Sequence, residues 1–291
     1  MNTKASPSAA EYETRRFVTH DGVVLVGDEG GDPRHPTVVL LHGRGQTRHS
    51  WAEAMRTLIA EGYHVINYDT RGHGDSGWSP TADYALETRV ADLEAVLATC
   101  SGPTALVGAS MGGTTSFYLV AKKAHPAVKA LVLVDIVPRS SPQGVAKIRD
   151  FLLRGRSGFA SLDEAADAVT AYNPSRPRPS DISGLSKNLR PGADGRLYWH
   201  WDPKWLDSGG RSDEGVRELL DLAGKVAIPS LLVRGMRSEL VKEAGVAEFR
   251  AHFPMLEVYD VAGASHMVAG DKNDAFNEGV IGFLRRHLPP A

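Results

Sequence analysis

The sequence predicts an α/β protein with a mostly parallel central sheet flanked by helices. Apolar, strand-like runs alternate with helical patterns over residues 37–136, and the alternation resumes over residues 230–287. Strands that alternate with helices pair in parallel through right-handed crossovers. Residues 139–222 interrupt the pattern with helices and no comparable strand, which predicts a mainly helical lid inserted after the sixth strand. The predicted core is therefore residues 1–138 together with residues 223–291.

Each predicted strand is a run of apolar and β-branched residues. Because polar residues do not alternate within most of these runs, we expect both faces of the sheet to be covered. The turn dipeptide Asp21-Gly22 separates two shorter runs and favours a hairpin at the start of the sheet. The strands predicted after this hairpin are Thr37–Leu41, His64–Asp69, Thr104–Ala109, Lys129–Ile136, Ser230–Arg234 and Leu256–Val261.

Apolar residues at helical spacing predict the helices. Between Glu87 and Thr99, for example, Val90, Leu93 and Val96 fall on one face of a helix. The helices predicted for the core are Trp51–Glu61, Glu87–Thr99, Thr114–Lys123, Lys242–Phe253 and Asn273–His287, and those predicted for the lid are Leu162–Ala171 and Glu214–Leu222.

Composition and charge argue against several classes of protein. Hydrophobic residues make up 42% of the 291 positions and charged residues 23%, which is ordinary for a globular chain. The formal net charge is −2 and neither sign is clustered, so we expect neither nucleic acid nor a membrane as partner. Residues Met1–Arg15 lack the apolar run of a secretory signal, and we expect a cytoplasmic protein. A monomer and a homo-oligomer are both compatible with the sequence.

The sequence predicts no metal site and no cofactor. The single cysteine, Cys100, excludes an intramolecular disulfide and is expected to pack as a small apolar residue. No cluster of histidine, cysteine and carboxylate residues has metal-ligand spacing, and no dinucleotide-binding glycine motif follows the first long strand. The loop Arg71–Ser76 lacks the ending of a P-loop and is interpreted as structural.

One motif points directly to chemistry. The run Gly108-Ala109-Ser110-Met111-Gly112 lies where a predicted strand turns into a predicted helix. A serine between two glycines at such a turn is typical of a nucleophile elbow, which exposes the hydroxyl at the edge of a sheet. Glycine is needed on either side because a side chain would collide in so tight a turn. Ser110 is therefore the candidate nucleophile.

A serine nucleophile needs a base and an acid that orients the base. His266 follows the last predicted strand, at the sheet edge where the elbow lies if the strands are parallel, and it is the candidate base. Glu239 follows the preceding strand, which gives the chain order serine, acid, histidine and makes it the preferred acid. Asp135 is the alternative acid, because it ends the strand after the elbow and reaches the same edge.

The oxyanion that forms during acyl transfer needs hydrogen-bond donors. One donor is expected to be the backbone N–H of Met111, directly after the nucleophile. The other is expected to be the backbone N–H of Arg44, in the turn His42-Gly43-Arg44-Gly45 after the first long strand. His42 is expected to brace this turn rather than to titrate.

Two tryptophans in the predicted lid allow two interpretations. Trp199 and Trp201 stand in the segment Trp199-His200-Trp201-Asp202-Pro203. They are candidate substrate-binding residues that line a cavity from the lid. Alternatively, they form the small apolar core of the lid itself.

Taken together, these motifs resemble the α/β-hydrolase superfamily, and most closely its branch of small esterases, non-haem haloperoxidases and carbon–carbon hydrolases. The motifs, in family order, are residues 42–45, 71–76, 108–113, 234–239 and 263–267. The resemblance implies the α/β-hydrolase fold and a triad of Ser110, His266 and an acid. The family more often has aspartate where Glu239 stands, which keeps Asp135 as an alternative. Epoxide hydrolase and haloalkane dehalogenase relatives use an aspartate nucleophile, so Ser110 argues against both activities.

The resulting hypothesis is a serine hydrolase that cleaves a small-molecule carboxylic ester or lactone through an acyl-enzyme. Within the same class, the triad would instead cleave a carbon–carbon bond of a vinylogous diketone, or act as a perhydrolase or haloperoxidase. From a different class, the fold would serve as a non-enzymatic ligand-binding module with an idle triad.

Overall fold

The computed structural model describes residues 12–174, 178–207, 212–271 and 273–290. Its strands are β1 (Tyr12–Val18), β2 (Val24–Gly30), β3 (Thr37–Leu41), β4 (His64–Tyr68), β5 (Thr104–Ala109), β6 (Val128–Val134), β7 (Leu189–Pro191), β8 (Leu197–Trp199), β9 (Ser230–Gly235) and β10 (Leu256–Val261). Its helices are α1 (Ala52–Ala60), α2 (Leu86–Leu97), α3 (Met111–Tyr118), α4 (Pro142–Arg154), α5 (Leu162–Tyr172), α6 (Asp213–Ala223), α7 (Glu243–His252), α8 (Val268–Asp271) and α9 (Asn273–His287).

A central sheet of eight strands has the order β1-β2-β4-β3-β5-β6-β9-β10. The predicted hairpin is present, because β1 and β2 pair antiparallel around Asp21-Gly22, and β2 also pairs antiparallel with β4. From β4 to β10 every pairing is parallel. The mostly parallel α/β sheet that the sequence predicts is therefore confirmed. Parallel pairing brings the carboxyl ends of β3, β5, β6, β9 and β10 to one edge, where the predicted site residues lie.

Helices cover both faces of the sheet, as the continuous apolar strands require. Because side chains alternate along a strand, Val39 and Leu41 of β3 pack on one face with α2, α3 and α7. On the same strand, Val38 and Leu40 pack on the opposite face with α1 and α9. Cys100 is half-buried and packs at the edge of the layer that contains α2, α3 and α7. Burial there raises the pKa of its thiol to about 11. A thiol that stays protonated is consistent with the packing role expected for it.

The sequence-based prediction did not include α4. Its start carries two local signals, a serine cap and a proline in the first turn. The Ser141 hydroxyl accepts the N–H of Gly144 at 3.3 Å, and Pro142 is the first helical residue.

The helix α6 lies within the predicted lid, but its apolar face packs with α7 on the same face of the sheet as α2 and α3. We call residues 142–207 the cap segment, described apart from residues 175–177. It comprises α4, α5 and the β7–β8 hairpin.

Within the described ranges, every helix is too short or too polar to cross a lipid bilayer.

Candidate active site

The turn between β5 and α3 has the geometry expected for a nucleophile elbow. Ser110 adopts φ 47° and ψ −106°, a left-handed conformation that L-residues rarely occupy. Its backbone is held on both sides, since its N–H donates to the Val134 carbonyl at 3.1 Å and its carbonyl accepts the Thr114 N–H at 2.9 Å. Such strain costs of order 1–3 kcal/mol and persists where neighbouring structure enforces it. The turn fixes Ser110 at the carboxyl edge of the sheet.

The two glycines of the motif allow this close packing. A Cβ on Gly108 would lie 2.6 Å from the backbone of Gly112. Similarly, a Cβ on Gly112 would lie 2.4 Å from the carbonyl oxygen of Leu41 in β3. Both contacts involve backbone atoms that cannot move without shifting the sheet or the helix. These positions therefore require glycine for a steric reason.

Replacing Gly112 with alanine is expected to lower the free energy of unfolding by about 1–3 kcal/mol, because the added methyl overlaps the Leu41 carbonyl. Chemical denaturation followed by circular dichroism measures the loss. The matched control is Gly102→Ala, where the nearest atom to the added Cβ is the His35 carbonyl oxygen at 4.0 Å. Equal stability of the two variants would contradict the steric argument.

The candidate base is oriented by a buried carboxylate. His266 follows β10, and its Nδ1 lies 2.7 Å from Oδ2 of Asp135. Asp135 follows β6 with φ 47° and is 1% exposed. A carboxylate only accepts hydrogen bonds, so Nδ1 carries the proton and Nε2 is the basic nitrogen of a neutral His266. Ser110 and His266 line the same cavity.

Two further donors hold the carboxylate of Asp135. The Gly235 N–H donates to Oδ1 at 3.1 Å, and the Ser238 hydroxyl donates to Oδ2 at 2.6 Å. The same hydroxyl oxygen accepts the N–H groups of Leu240 and Val241, each at 3.1 Å, so its hydrogen is directed to Asp135. A buried charge needs such compensation. Ser238 was not among the predicted site residues; its only sequence signal is its place just after β9.

The preference for Glu239 as partner of His266 does not match the geometry, and the alternative, Asp135, makes that contact. Glu239 Oε1 accepts a hydrogen bond from Lys147 Nζ on α4 at 2.9 Å. Although burial opposes it, this bond with Lys147 holds the pKa of Glu239 below its ordinary value. Glu239 does not reach His266 because of the turn after β9. In this turn the Ser238 N–H donates to the Gly235 carbonyl, so Ser238 faces inward and the side chain of Glu239 lies against α4.

As the sequence predicts, His42 braces the turn after β3. The ring is fully buried, donates from Nδ1 to the Gly43 carbonyl at 2.8 Å and accepts the Thr70 N–H at Nε2 at 2.9 Å. Burial lowers the pKa of His42, and both ring nitrogens are occupied as a neutral imidazole requires. A Cβ on Gly43 would lie 3.5 Å from the Ser110 Cβ, so the turn lies against the candidate nucleophile.

Gln46 affects which backbone N–H of this turn is available to bind an oxyanion. Its Oε1 accepts the Gly43 N–H at 2.9 Å, and its Nε2 lies 2.9 Å from the sulfur of Met267, beside His266. With Gly43 engaged, Arg44 supplies the next N–H along the turn. The Arg44 side chain lies over the Trp205 ring at 4.4 Å, which ties the turn to the cap segment. No sequence signal singled out Gln46.

Met111, the other predicted donor, is the first residue of α3. The N–H groups in the first turn of a helix have no acceptor within the helix. The helix dipole also favours negative charge at this end. The backbone at Met111 is therefore suited to an oxyanion beside Ser110.

The two tryptophans of the cap segment differ in whether they line the cavity. Trp199 lines the cavity that contains Ser110. Both tryptophans pack in the apolar core of the cap segment with Leu152 and Phe159. The packing interpretation therefore fits both residues, and Trp199 in addition faces the cavity.

The loop Arg71–Ser76 is structural, as expected. Arg71 is buried and pairs with Asp21 at 2.9 Å and with Asp92 at 2.5 Å. The loop also anchors the cap segment, because the Gly74 N–H donates to Nδ1 of His200 at 2.6 Å. One end of the cap segment is thereby fixed to the core near the candidate site.

The cavity has a volume of about 450 Å³, within the range of small-molecule sites. Core residues line one side of it, and the cap segment lines the other. The core side consists of Gly43, Arg44, Gly45, Gln46, Ser50, Ala109, Ser110, His266 and Met267.

A family model describing the alpha/beta hydrolase fold matches residues 36–272. The chain belongs to the α/β-hydrolase family. Esterase Rv0045c of Mycobacterium tuberculosis is 29% identical to this α/β-hydrolase over 264 residues, which cover 86% of this chain and 83% of the esterase. The sn-1-specific diacylglycerol lipase ABHD11 of Mus musculus is 28% identical over 262 residues, which cover 87% of this chain and 82% of the lipase.

The same fold is found in a solved structure. The crystal structure of an alpha/beta hydrolase from Novosphingobium aromaticivorans has a TM-score of 0.81 to this chain at 24% identity, and the match covers 96% of this chain and 100% of the other. This likeness shows the shared fold. The family model and relatives that are an esterase and a lipase show that this α/β-hydrolase is a hydrolytic enzyme.

Proposed function

We propose that this α/β-hydrolase is a serine hydrolase that cleaves carboxylic esters or lactones through an acyl-enzyme. The observation that carries the proposal is the hydrogen bond from His266 to buried Asp135, in a cavity that His266 shares with the strained Ser110. Relatives named as an esterase and a lipase support ester substrates. Of the two candidate acids, we assign Asp135 to the triad.

The reaction follows from these positions. His266 Nε2 takes the proton of the Ser110 hydroxyl as its oxygen attacks the carbonyl carbon, while Asp135 stabilises the imidazolium. The N–H groups of Arg44 and Met111 bind the oxyanion; loss of one such donor typically costs about 3–4 kcal/mol. His266 then protonates the departing alcohol. Water repeats the sequence on the acyl-enzyme and releases the acid.

We further propose that the cap segment acts as the lid over this site. It begins close to the predicted boundary at residue 139 but ends before α6, which packs with α7 and so belongs to the core rather than to the predicted lid of residues 139–222. Trp199 then belongs to the substrate-binding wall, whereas Trp201 stabilises the lid from within. The substrate is a small molecule, since the cavity holds about 450 Å³.

An active-site label tests the assignment. A fluorescent alkyl organophosphonate is expected to add one label to Ser110, found by mass spectrometry of the digested protein, because only an activated serine attacks such a reagent. Folded protein without label would support the non-enzymatic ligand-binding alternative. Turnover of a ring-cleavage dienoate in preference to a simple aryl ester would support the carbon–carbon hydrolase alternative.

Ser238 is expected to act as a positioning residue for the triad. Removing its hydroxyl in Ser238→Ala takes one of three donors from Asp135, so the orientation of His266 loosens. We expect kcat for an aryl ester to fall about 10-fold or more, the usual effect of removing a partner behind the reacting groups, with little change in KM.

The Ser238→Thr variant keeps a hydroxyl and is expected to recover most of the activity. A parallel loss of kcat and thermal stability in Ser238→Ala, with KM rising as kcat falls and no recovery of kcat in Ser238→Thr, would indicate a purely structural role.

A further inference from the structure

The cavity wall formed by the cap segment consists of two facing helical stripes. Helix α4 contributes three side chains at helical spacing, Ile148, Phe151 and Leu152. Helix α5 contributes a second stripe that includes Ala166, Val169 and Thr170. The space between the helices is therefore a largely apolar chamber that begins beside the candidate nucleophile.

Exposure distinguishes a closed side of this chamber from an open one. Leu152 and Ala166 are each 4% exposed and Trp199 is 8% exposed, so solvent is excluded there. The exposed lining residues belong instead to the loop 44–50 and to the segment 179–184.

The loop 44–50 contacts the cap segment beside this open side. The Thr47 hydroxyl donates to Oδ1 of Asn188, four residues after the segment 179–184, at 3.3 Å. Because the exposed lining residues belong to the loop 44–50 and the segment 179–184, we place the opening of the cavity at these segments.

The charged lining residues lie at the open side of the cavity. Among the described lining residues, Arg44 is the one arginine and Asp181 the one carboxylate, and both are exposed. The Asp181 carboxylate accepts the Ser183 N–H at 2.8 Å, at the open side.

The walls formed by α4 and α5 carry no ionisable side chain except Tyr172. Lys147 of α4, which lies over the Tyr172 ring at 5.1 Å, is already paired with Glu239. A carboxylate placed between these helices would therefore lose its hydration without gaining an unpaired cation.

We propose that the acyl part of the ester binds between α4 and α5, is uncharged and apolar, and is limited in length by Ala166, while the alcohol leaves through the opening at residues 179–184. This inference rests on the proposed function. In the acylation step a bond forms between the Ser110 oxygen and the carbonyl carbon, and the bond to the alcohol oxygen breaks. The proton of Ser110 passes through His266 to that alcohol, which then departs toward solvent.

The test crosses two substrate series with two variants. The acyl series is p-nitrophenyl acetate, butanoate and octanoate, and the alcohol series is the ethyl, benzyl and naphthylmethyl esters of butanoic acid. Ala166→Leu fills the closed side, and its matched control is Ala171→Leu, at an exposed position of the same helix that does not line the cavity. Gly184→Leu adds bulk at the open side, where a Cβ would have no atom within 4 Å.

Ala166→Leu is expected to lower kcat/KM for the octanoate on the order of 10-fold or more while the acetate changes little, because excluded methylene groups lose their contacts. Gly184→Leu is expected to reduce turnover of the naphthylmethyl ester and to leave the acyl preference as in the unmodified protein. Ala171→Leu should alter neither series. If Ala166→Leu does not fold, Thr170→Leu on the same stripe replaces it.

Charge provides a second readout. The unmodified protein is expected to prefer p-nitrophenyl pentanoate over the p-nitrophenyl monoester of glutaric acid by 10-fold or more, because the buried carboxylate of the latter has no partner. Preference for the glutarate, or an acyl preference that shifts in Gly184→Leu instead of Ala166→Leu, would overturn the inference alone. Absence of both ester turnover and phosphonate labelling of Ser110 would overturn the proposed function and the inference with it.

Discussion

Replacing Ser110 with alanine is expected to reduce hydrolysis of p-nitrophenyl butanoate by 10⁴- to 10⁶-fold, on the order of the losses known for other serine hydrolases. The variant keeps the cavity and the oxyanion donors but has no atom that can form the acyl-enzyme. Steady-state kinetics measures the loss, and phosphonate labelling should disappear in parallel. Residual turnover is expected only at the level that the donors at Arg44 and Met111 supply.

The matched control is Ser116→Ala in α3, the helix that follows the elbow. Ser116 is also buried, but its hydroxyl donates to the Gly112 carbonyl at 2.9 Å and is not part of the cavity lining. Its removal should leave turnover close to that of the unmodified protein. Turnover by Ser110→Ala at the level of Ser116→Ala would be incompatible with a serine nucleophile at the elbow.

Asp135→Asn is expected to lower kcat about 10⁴-fold, whereas Glu239→Gln is expected to change it by less than a few-fold. The amide of asparagine does not stabilise the imidazolium and allows the wrong tautomer of His266. Glu239 contacts Lys147 in a partly exposed ion pair, a kind that contributes about 0–1 kcal/mol to stability. Measuring kcat and phosphonate labelling for both variants separates the two carboxylates.

The reverse result would restore the assignment based on chain order. If Glu239→Gln abolished turnover and Asp135→Asn did not, the turn after β9 would have to rearrange in solution so that Glu239 reaches His266. The melting temperature of Asp135→Asn, compared with that of the unmodified protein, is the control for folding. A variant that unfolds is replaced by Asp135→Ser, which keeps a small polar side chain at this buried position.

Local sequence determines most of the core. The bounds of β3 and β5 agree with the runs that predicted them, because buried parallel strands need apolar residues throughout. The bounds of β10 also agree, although this edge strand exposes Glu257 and Asp260. Ser110 was recognisable for a similar reason: the elbow needs small residues at fixed spacing, and the clashes at Gly108 and Gly112 show why. The hairpin at Asp21-Gly22 also follows from local turn chemistry.

Features that depend on packing between distant segments were not predictable in this way. Helix α4 was missed because its exposed side obscures the apolar stripe, although Ser141 and Pro142 mark its start. Gln46 acts through contacts with Gly43 and Met267, which are brought together only by the folded sheet edge. No spacing rule connects positions so far apart.

The sequence by itself determined an α/β core with a serine at its elbow and a histidine after the last strand. It also left two carboxylates, Asp135 and Glu239, as candidate partners of that histidine. Only the tertiary structure decided between those carboxylates. Both come after strands that end at the same edge, but the backbone at Asp135 has a positive φ, and the turn after β9 brings Ser238 and Gly235 to its carboxylate. That turn leaves Glu239 beside Lys147. The direction of a side chain after a strand is set by the turn and its neighbours, and chain order does not contain it.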